Sequence, residues 1–111
     1  MKKVGGNINA EFQTFSTIRN EIGEEIQQWA TVAQHKGWLD LSSGNSSYKS
    51  FNAKTEEATH VFVCDRFDID KASIGRLVIK GKTFDVTYFD EPMELGYHFE
   101  IFLKELNQNE Q

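Results

Sequence analysis

The sequence predicts an all-β fold, a small single-domain barrel or sandwich of about six or seven antiparallel strands. Three observations lead there. Short runs of alternating apolar and polar residues recur through the second half of the chain, each bounded by turn residues. Two of these runs, 76–79 and 82–89, are separated only by Lys80-Gly81, the spacing of a tight hairpin with glycine at its second central position. Apolar residues make up 39% of the 111 residues and include nine Phe, with one proline, so one core can form and little interrupts the strands.

Taken in order, residues 1–111 form one domain with a flexible or extended arm over 1–11, where Gly5, Gly6, Asn7 and Asn9 fall, and a flexible polar tail over 107–111. Residues 12–36 admit two readings. Ile18, Ile22, Ile26, Trp29 or Ala30, and Ala33 have helical spacing, with Gly37 as a stop. Alternatively Phe12, Thr14, Ser16 and Ile18 alternate as a strand with Phe15 on its other face. Asn20-Glu21-Ile22-Gly23 is then a turn, and a second strand runs from Glu25 through Trp29 to Val32. Glycine inside a helix costs about 1 kcal/mol relative to alanine, which weighs mildly against one continuous helix through Gly23, yet the local pattern taken alone leans slightly to the helix.

Residues 37–41, with Trp38, Leu39 and Leu41, read as a short strand that enters a long loop. That loop, 42–55, is serine-rich, contains Gly44 and Asn45, and has no Asp or Glu between Asp40 and Glu56. Loops of this length in a small domain are usually functional or disordered. Its charges are Lys49 and Lys54 and its aromatics Tyr48 and Phe51. The chain re-enters the sheet at 59–63, where few polar residues interrupt the run and both faces are expected to be covered. Residues 65–71 read as a solvated charged connection. After the hairpin, Pro92 closes its second strand. The last strand, 97–106, has Phe99, Ile101 and Leu103 on one face and His98, Glu100, Phe102 and Lys104 on the other.

Chemistry is sparse. There is no phosphate-binding glycine loop, paired-cysteine zinc spacing or nucleophile elbow. His35, His60 and His98 are dispersed, and His60 reads as a hydrogen-bonded strand residue. Glu56 and Glu57 are adjacent, so on a strand they face opposite ways and make no acid/base pair. Asp65, Asp68 and Asp70 lack the glycine and glutamate that a calcium loop requires. The single cysteine, Cys64, sits in an apolar run as a small hydrophobe, and one cysteine allows no disulfide framework within the chain. The N-terminus has no apolar signal segment, and no run reaches membrane-spanning length. No enzyme, cofactor or metal is expected. A net charge of −5 disfavours wrapping nucleic acid. It weighs against the alternative reading as a small OB-like nucleic-acid-binding module, which would need a basic groove with exposed aromatics.

Three segments carry a resemblance. Thr59-His60-Val61-Phe62-Val63, the stretch from Arg76 through Lys80-Gly81-Lys82-Thr83-Phe84-Asp85-Val86, and Glu100-Ile101-Phe102-Leu103-Lys104-Glu105 together resemble the head-tail joining, or head-closure, family of tailed bacteriophages. Gly-Trp-Leu-Asp-Leu-Ser-Ser-Gly at 37–44, followed by Tyr48 and Asn52-Ala53-Lys54, is similar to the version in phages and prophages of Gram-positive bacteria, and Gly23 followed by Trp29 matches a further mark of the family. The resemblance covers roughly 12–106. It implies a small β-barrel and decides 12–36 in favour of the hairpin.

It also implies a structural assembly protein at the virion head-tail interface, built into the particle in the host cytoplasm. The chain would be a monomer in isolation and a dodecameric ring on the particle, with a portal or adaptor protein on the head side, a tail-completion protein on the tail side, and packaged double-stranded DNA in the lumen. The loop becomes the candidate gate, with Ser43, Gly44, Tyr48, Lys49, Phe51 and Lys54 its residues of interest. Trp38, Leu41 and Val61 would be its anchors.

Overall fold

A computed structural model of the chain describes residues 4–41, 58–92 and 97–106. Its strands are β1 (Ile8–Arg19), β2 (Glu25–Leu41), β3 (His60–Asp65), β4 (Arg76–Ile79), β5 (Lys82–Asp90) and β6 (His98–Glu105). They close into a barrel in the order β1-β2-β3-β6-β5-β4, with every neighbouring pair antiparallel. The alternation predicts this all-β class, and of its two forms, barrel and sandwich, the chain takes the barrel that the resemblance implies.

The inward positions follow from period-two geometry. Ala10 and Phe12 of β1, Phe62 and Cys64 of β3, Leu77 and Ile79 of β4, Phe84 of β5, and Phe99, Ile101 and Leu103 of β6 are all buried in one core. The centre is aromatic. Phe12 meets Phe62, Phe67 and Phe89, and Phe99 meets Phe67 and Phe89, mostly edge to face, the arrangement ring quadrupoles favour. Two bulges adjust the phase. Val32 is the extra residue between Thr31 and Ala33, opposite Gln13 and Phe12. Thr87 is the extra residue in β5, so Val86 and Phe89, three apart, both pack against the core.

The 12–36 ambiguity resolves as a hairpin, β1 against β2. Ile18 faces Ile26 across it, with Ile22 in the turn between them. Partners placed symmetrically about position 22 fall four and eight residues apart, which is also helical spacing. That coincidence is why the periodicity was ambiguous. Gly23 takes φ +86° in the turn. At the other predicted hairpin, Lys80 and Gly81 have φ +52° and +78°, positive at both central positions as the twist of flanking strands requires.

Several boundaries differ from expectation. β2 is one strand of 17 residues, so the separate 37–41 strand is its end. It runs unbroken because Gly37 lets β3 approach, where a Cβ would overlap the Val63 carbonyl and lie 2.7 Å from the Phe62 ring. The expected arm is strand from Ile8 onward, and Val4 and Gly5 are tied down by Asp65. Residues 65–71 are not simply solvated. Phe67 and Ile69 pack against the core, with Phe67 stacked on His35 at 4.4 Å. β3 alternates, with Phe62 and Cys64 buried and Val61 and Val63 half-buried. Phe102, on the face of β6 shared with charged residues, is only 2% exposed. The tail 107–111 lies outside the described residues.

Candidate functional site

The candidate gate residues Ser43, Gly44, Tyr48, Lys49, Phe51 and Lys54 lie outside the described residues. The structure does describe the rim from which that segment departs and to which it returns. β2 ends with Leu41 paired to His60, Asp40 to Val61 and Trp38 to Val63. Past β3, the rim is closed by Thr59. Its N–H donates to the Leu103 carbonyl at 2.7 Å. Its hydroxyl oxygen accepts from the Glu105 N–H at 2.9 Å and lies 2.8 Å from His60 Nδ1. The His60 ring stands edge-on to Phe84. The Thr-His pair thus knots three strands at the point where the loop re-enters. Sequence marked the pair as a family feature without indicating that task.

The three anchor residues differ in their surroundings. Val61 is half-buried, whereas Trp38 is 46% and Leu41 73% exposed. At this rim the backbone ladder carries the ends of the segment. The Trp38 indole N–H instead donates to the Val4 carbonyl at 3.1 Å. Val4 and Gly5 donate their N–H groups to the two oxygens of Asp65 at 2.6 and 3.0 Å. Gly6 lies against Gly37 so closely that it could not carry a Cβ, which would overlap the Gly37 backbone. Residues 4–6 therefore strap the outer wall across β2 and β3. Sequence reasoning missed this strap, although Gly6 and Gly37 were its visible signal.

The outer wall is acidic around the top of β6. Glu100 faces Asp90, and Asp65 faces His98. His98 Nε2 lies 3.1 Å from one Glu100 oxygen, while the other Glu100 oxygen is buried without a hydrogen-bond partner. Asp90 raises the Tyr88 phenol pKa by its charge, with burial adding to the effect. Arg66 and Lys71 both reach Glu91, at 3.3 Å each, fixing the connection after β3 to the end of β5. The Thr87 bulge opens a shallow cleft of about 690 Å³ lined by Ile69, Lys71, Ile74, Val86, Tyr88 and Phe89. Asp70, Lys71, Thr87 and Tyr88 give it a mixed polar and apolar lining. Among the described residues no group of three or more His, Cys, Asp or Glu side chains could hold a metal ion, and no helix is long and apolar enough to cross a membrane. Cys64 is buried, and burial, with a smaller contribution from Asp65, pushes its pKa to about 12, so it is a poor nucleophile.

The arrangement is thus a closed barrel with a knotted rim. Comparison with known proteins gives it a place. The family model for phage head completion proteins matches residues 6–106, which takes in all six strands. The chain belongs to the phage head completion protein family. The resemblance read from the Thr-His strand, the Arg76 hairpin and the last strand points to the same kind of protein. Among solved structures, protein SF1141 from Shigella flexneri 2a is similar in fold, with a TM-score of 0.71 and 18% identity over 97% of this chain and 99% of that one. No curated protein matches the chain. Membership makes this head completion barrel a structural component of the phage head.

Proposed function

We propose that this head completion protein forms a ring beneath the portal, extends or closes the DNA channel there, and docks the tail. The proposal includes the family's version from phages and prophages of Gram-positive bacteria. The observation that carries it is the family match, which spans the whole barrel. The knotted rim supports it, since a loop that restrains packaged DNA needs ends that do not give. The net charge of −5 supports it as well, because an acidic body around a channel repels phosphate and lets DNA slide. In the loop 42–55, Tyr48 and Phe51 would plug the lumen or anchor the loop, and Lys49 and Lys54 would touch the phosphate backbone without reading sequence. The OB-like reading gains no specific support, as the wall near the top of β6 carries Asp65, Asp90 and Glu100 rather than a basic groove.

The test uses DNA-filled, tail-less heads. The protein is expected to bind them in one discrete layer and stop DNA leakage, as measured by nuclease sensitivity. Absence of binding to such heads refutes the proposal. Replacing Lys49 and Lys54 with alanine is expected to increase leakage. Unchanged retention would leave steric closure by Tyr48 and Phe51 as the remaining mechanism for the gate.

A further inference from the structure

β1 pairs with β4 only as far as Gln13, and β2 pairs with β3 only from Gly37. Residues 14–19 and 25–31 therefore leave the barrel as a two-stranded ribbon, roughly 20 Å long at about 3.4 Å per residue. It makes the molecule elongated. The extents are 50 × 33 × 24 Å and the radius of gyration is 14.9 Å, against about 13 Å for a compact chain of this length. Phe15, Ile18, Ile22, Ile26 and Val32, all on β1, β2 or the turn between them, are exposed.

An isolated two-stranded ribbon is marginally stable in water, yet this one is braced at both ends. At its base the Arg76 guanidinium lies 4.3 Å from the centre of the Trp29 ring, which also touches Phe15 and packs against Gly75. At its tip the Asn20 carboxamide oxygen accepts the N–H groups of Ile22 and Glu24 at 3.1 and 2.9 Å, and the Asn20 backbone binds Glu24 and Gly23. Ile22 is thereby held outward, 79% exposed, between Glu21 and Glu24. Among the described residues Arg19 reaches only Glu25, at 3.8 Å in solvent.

The opposite end of β4 is the chemical complement. There Lys80 makes no ion pair among the described residues, and Lys82 meets Glu105 only at 3.8 Å in solvent. The ladder carries this rim round to Leu41. Leu106 N–H donates to the Thr83 carbonyl beside Lys82, Glu105 N–H donates to Thr59, and the next residue, His60, pairs with Leu41. One end of the molecule thus presents an exposed isoleucine between glutamates, and the other an exposed leucine on a rim where Lys80 and Lys82 stand alongside Asp40 and Glu105.

We propose that the tip of the β1–β2 ribbon, Glu21-Ile22-Gly23-Glu24, docks on the Lys80, Lys82 and Leu41 rim of a second copy of this chain. The occupant is a second copy because the acidic, apolar tip has its complement on this same chain. The contact is heterologous, the kind that closes rings. It rests on the ring proposed above and names its interface. It is weak between free molecules and multiplied when many copies are aligned on a particle.

The test is sedimentation of the full chain at millimolar concentration and low salt. The wild type is expected to self-associate, and E21K/E24K and K80E/K82E each to weaken association by about tenfold or more. All four positions are in exposed turns or at a strand end, so thermal melting checks that the variants fold. An equal mixture of the two variants is expected to regain association, since each then offers the charge the other needs. A monomeric wild type, reversals without effect, or a mixture that stays apart would each overturn the proposal. A chain that binds heads yet fails this test loses the interface and keeps the head-completion role. One that associates through these ends yet ignores heads does the reverse.

Discussion

At the residue scale, Cys64 shows how far burial can silence a reactive group. Its thiol is held neutral because the anion would sit in the core and beside Asp65, so its pKa is about 12 against an ordinary 9.0. The shift is upward, so the unfolded chain loses its proton first as pH rises. The contribution to stability is full below about pH 9 and is lost progressively toward pH 12, at no more than about 1.4 kcal/mol per pH unit. Urea unfolding of the wild type and Cys64→Ala between pH 9 and 11 should show a steeper loss in the wild type. Equal slopes would mean that the thiol is not the group responsible. At this scale the sequence was readable where a residue's role is set by its own chemistry. Cys64 as a core hydrophobe and Gly81 as a turn residue are examples. It was silent where the role depends on a distant partner. Nothing local to Asp65 announces that it binds the amides of Val4 and Gly5, some sixty positions away.

At the element scale, the two hairpins differ in legibility for a physical reason. The β4–β5 turn occupies two residues and its positive φ values demand particular residue types, so Lys80-Gly81 stood out. The β1–β2 turn is longer and is held by the Asn20 side chain, and its flanking isoleucines imitate a helix face. The first turn also contains a mismatch. Gly81 suits φ +78°, whereas Lys80 at +52° carries a side chain where asparagine or glycine is preferred. Gly81→Ala is expected to cost about 1 kcal/mol, although no atom lies within 4 Å of its new methyl. Lys80→Asn should raise the melting temperature slightly. Because it also removes a rim charge, it should weaken association between copies. A stabilised barrel with undiminished association would argue that Lys80 is not part of the contact.

At the scale of the whole molecule, the all-β class was legible from the number of strands, their alternation and their short turns, while barrel rather than sandwich came only from the family resemblance. The order of strands was not, since β1 reaches across to β4 and β6 lies between β3 and β5. Such pairings are set by the shape of the filled interior rather than by neighbours in sequence. They can be tested by deletion. A chain ending at Tyr97 lacks β6 and with it Phe99, Ile101 and Leu103 of the core. It is expected to lose the near-ultraviolet circular dichroism of packed aromatics, and a native-like spectrum would show that the remaining strands close without it.

The place of β6 also has a consequence during synthesis. β6 is the last of the six strands to be made, so a nascent chain exposes the facing edges of β3 and β5 until β6 emerges. The β1–β2 ribbon, complete long before, waits with its isoleucines uncovered. Every unfinished copy is therefore sticky in two ways at once. Where many copies of the chain are made together, speed of closure and access to chaperones would govern yield as much as final stability does.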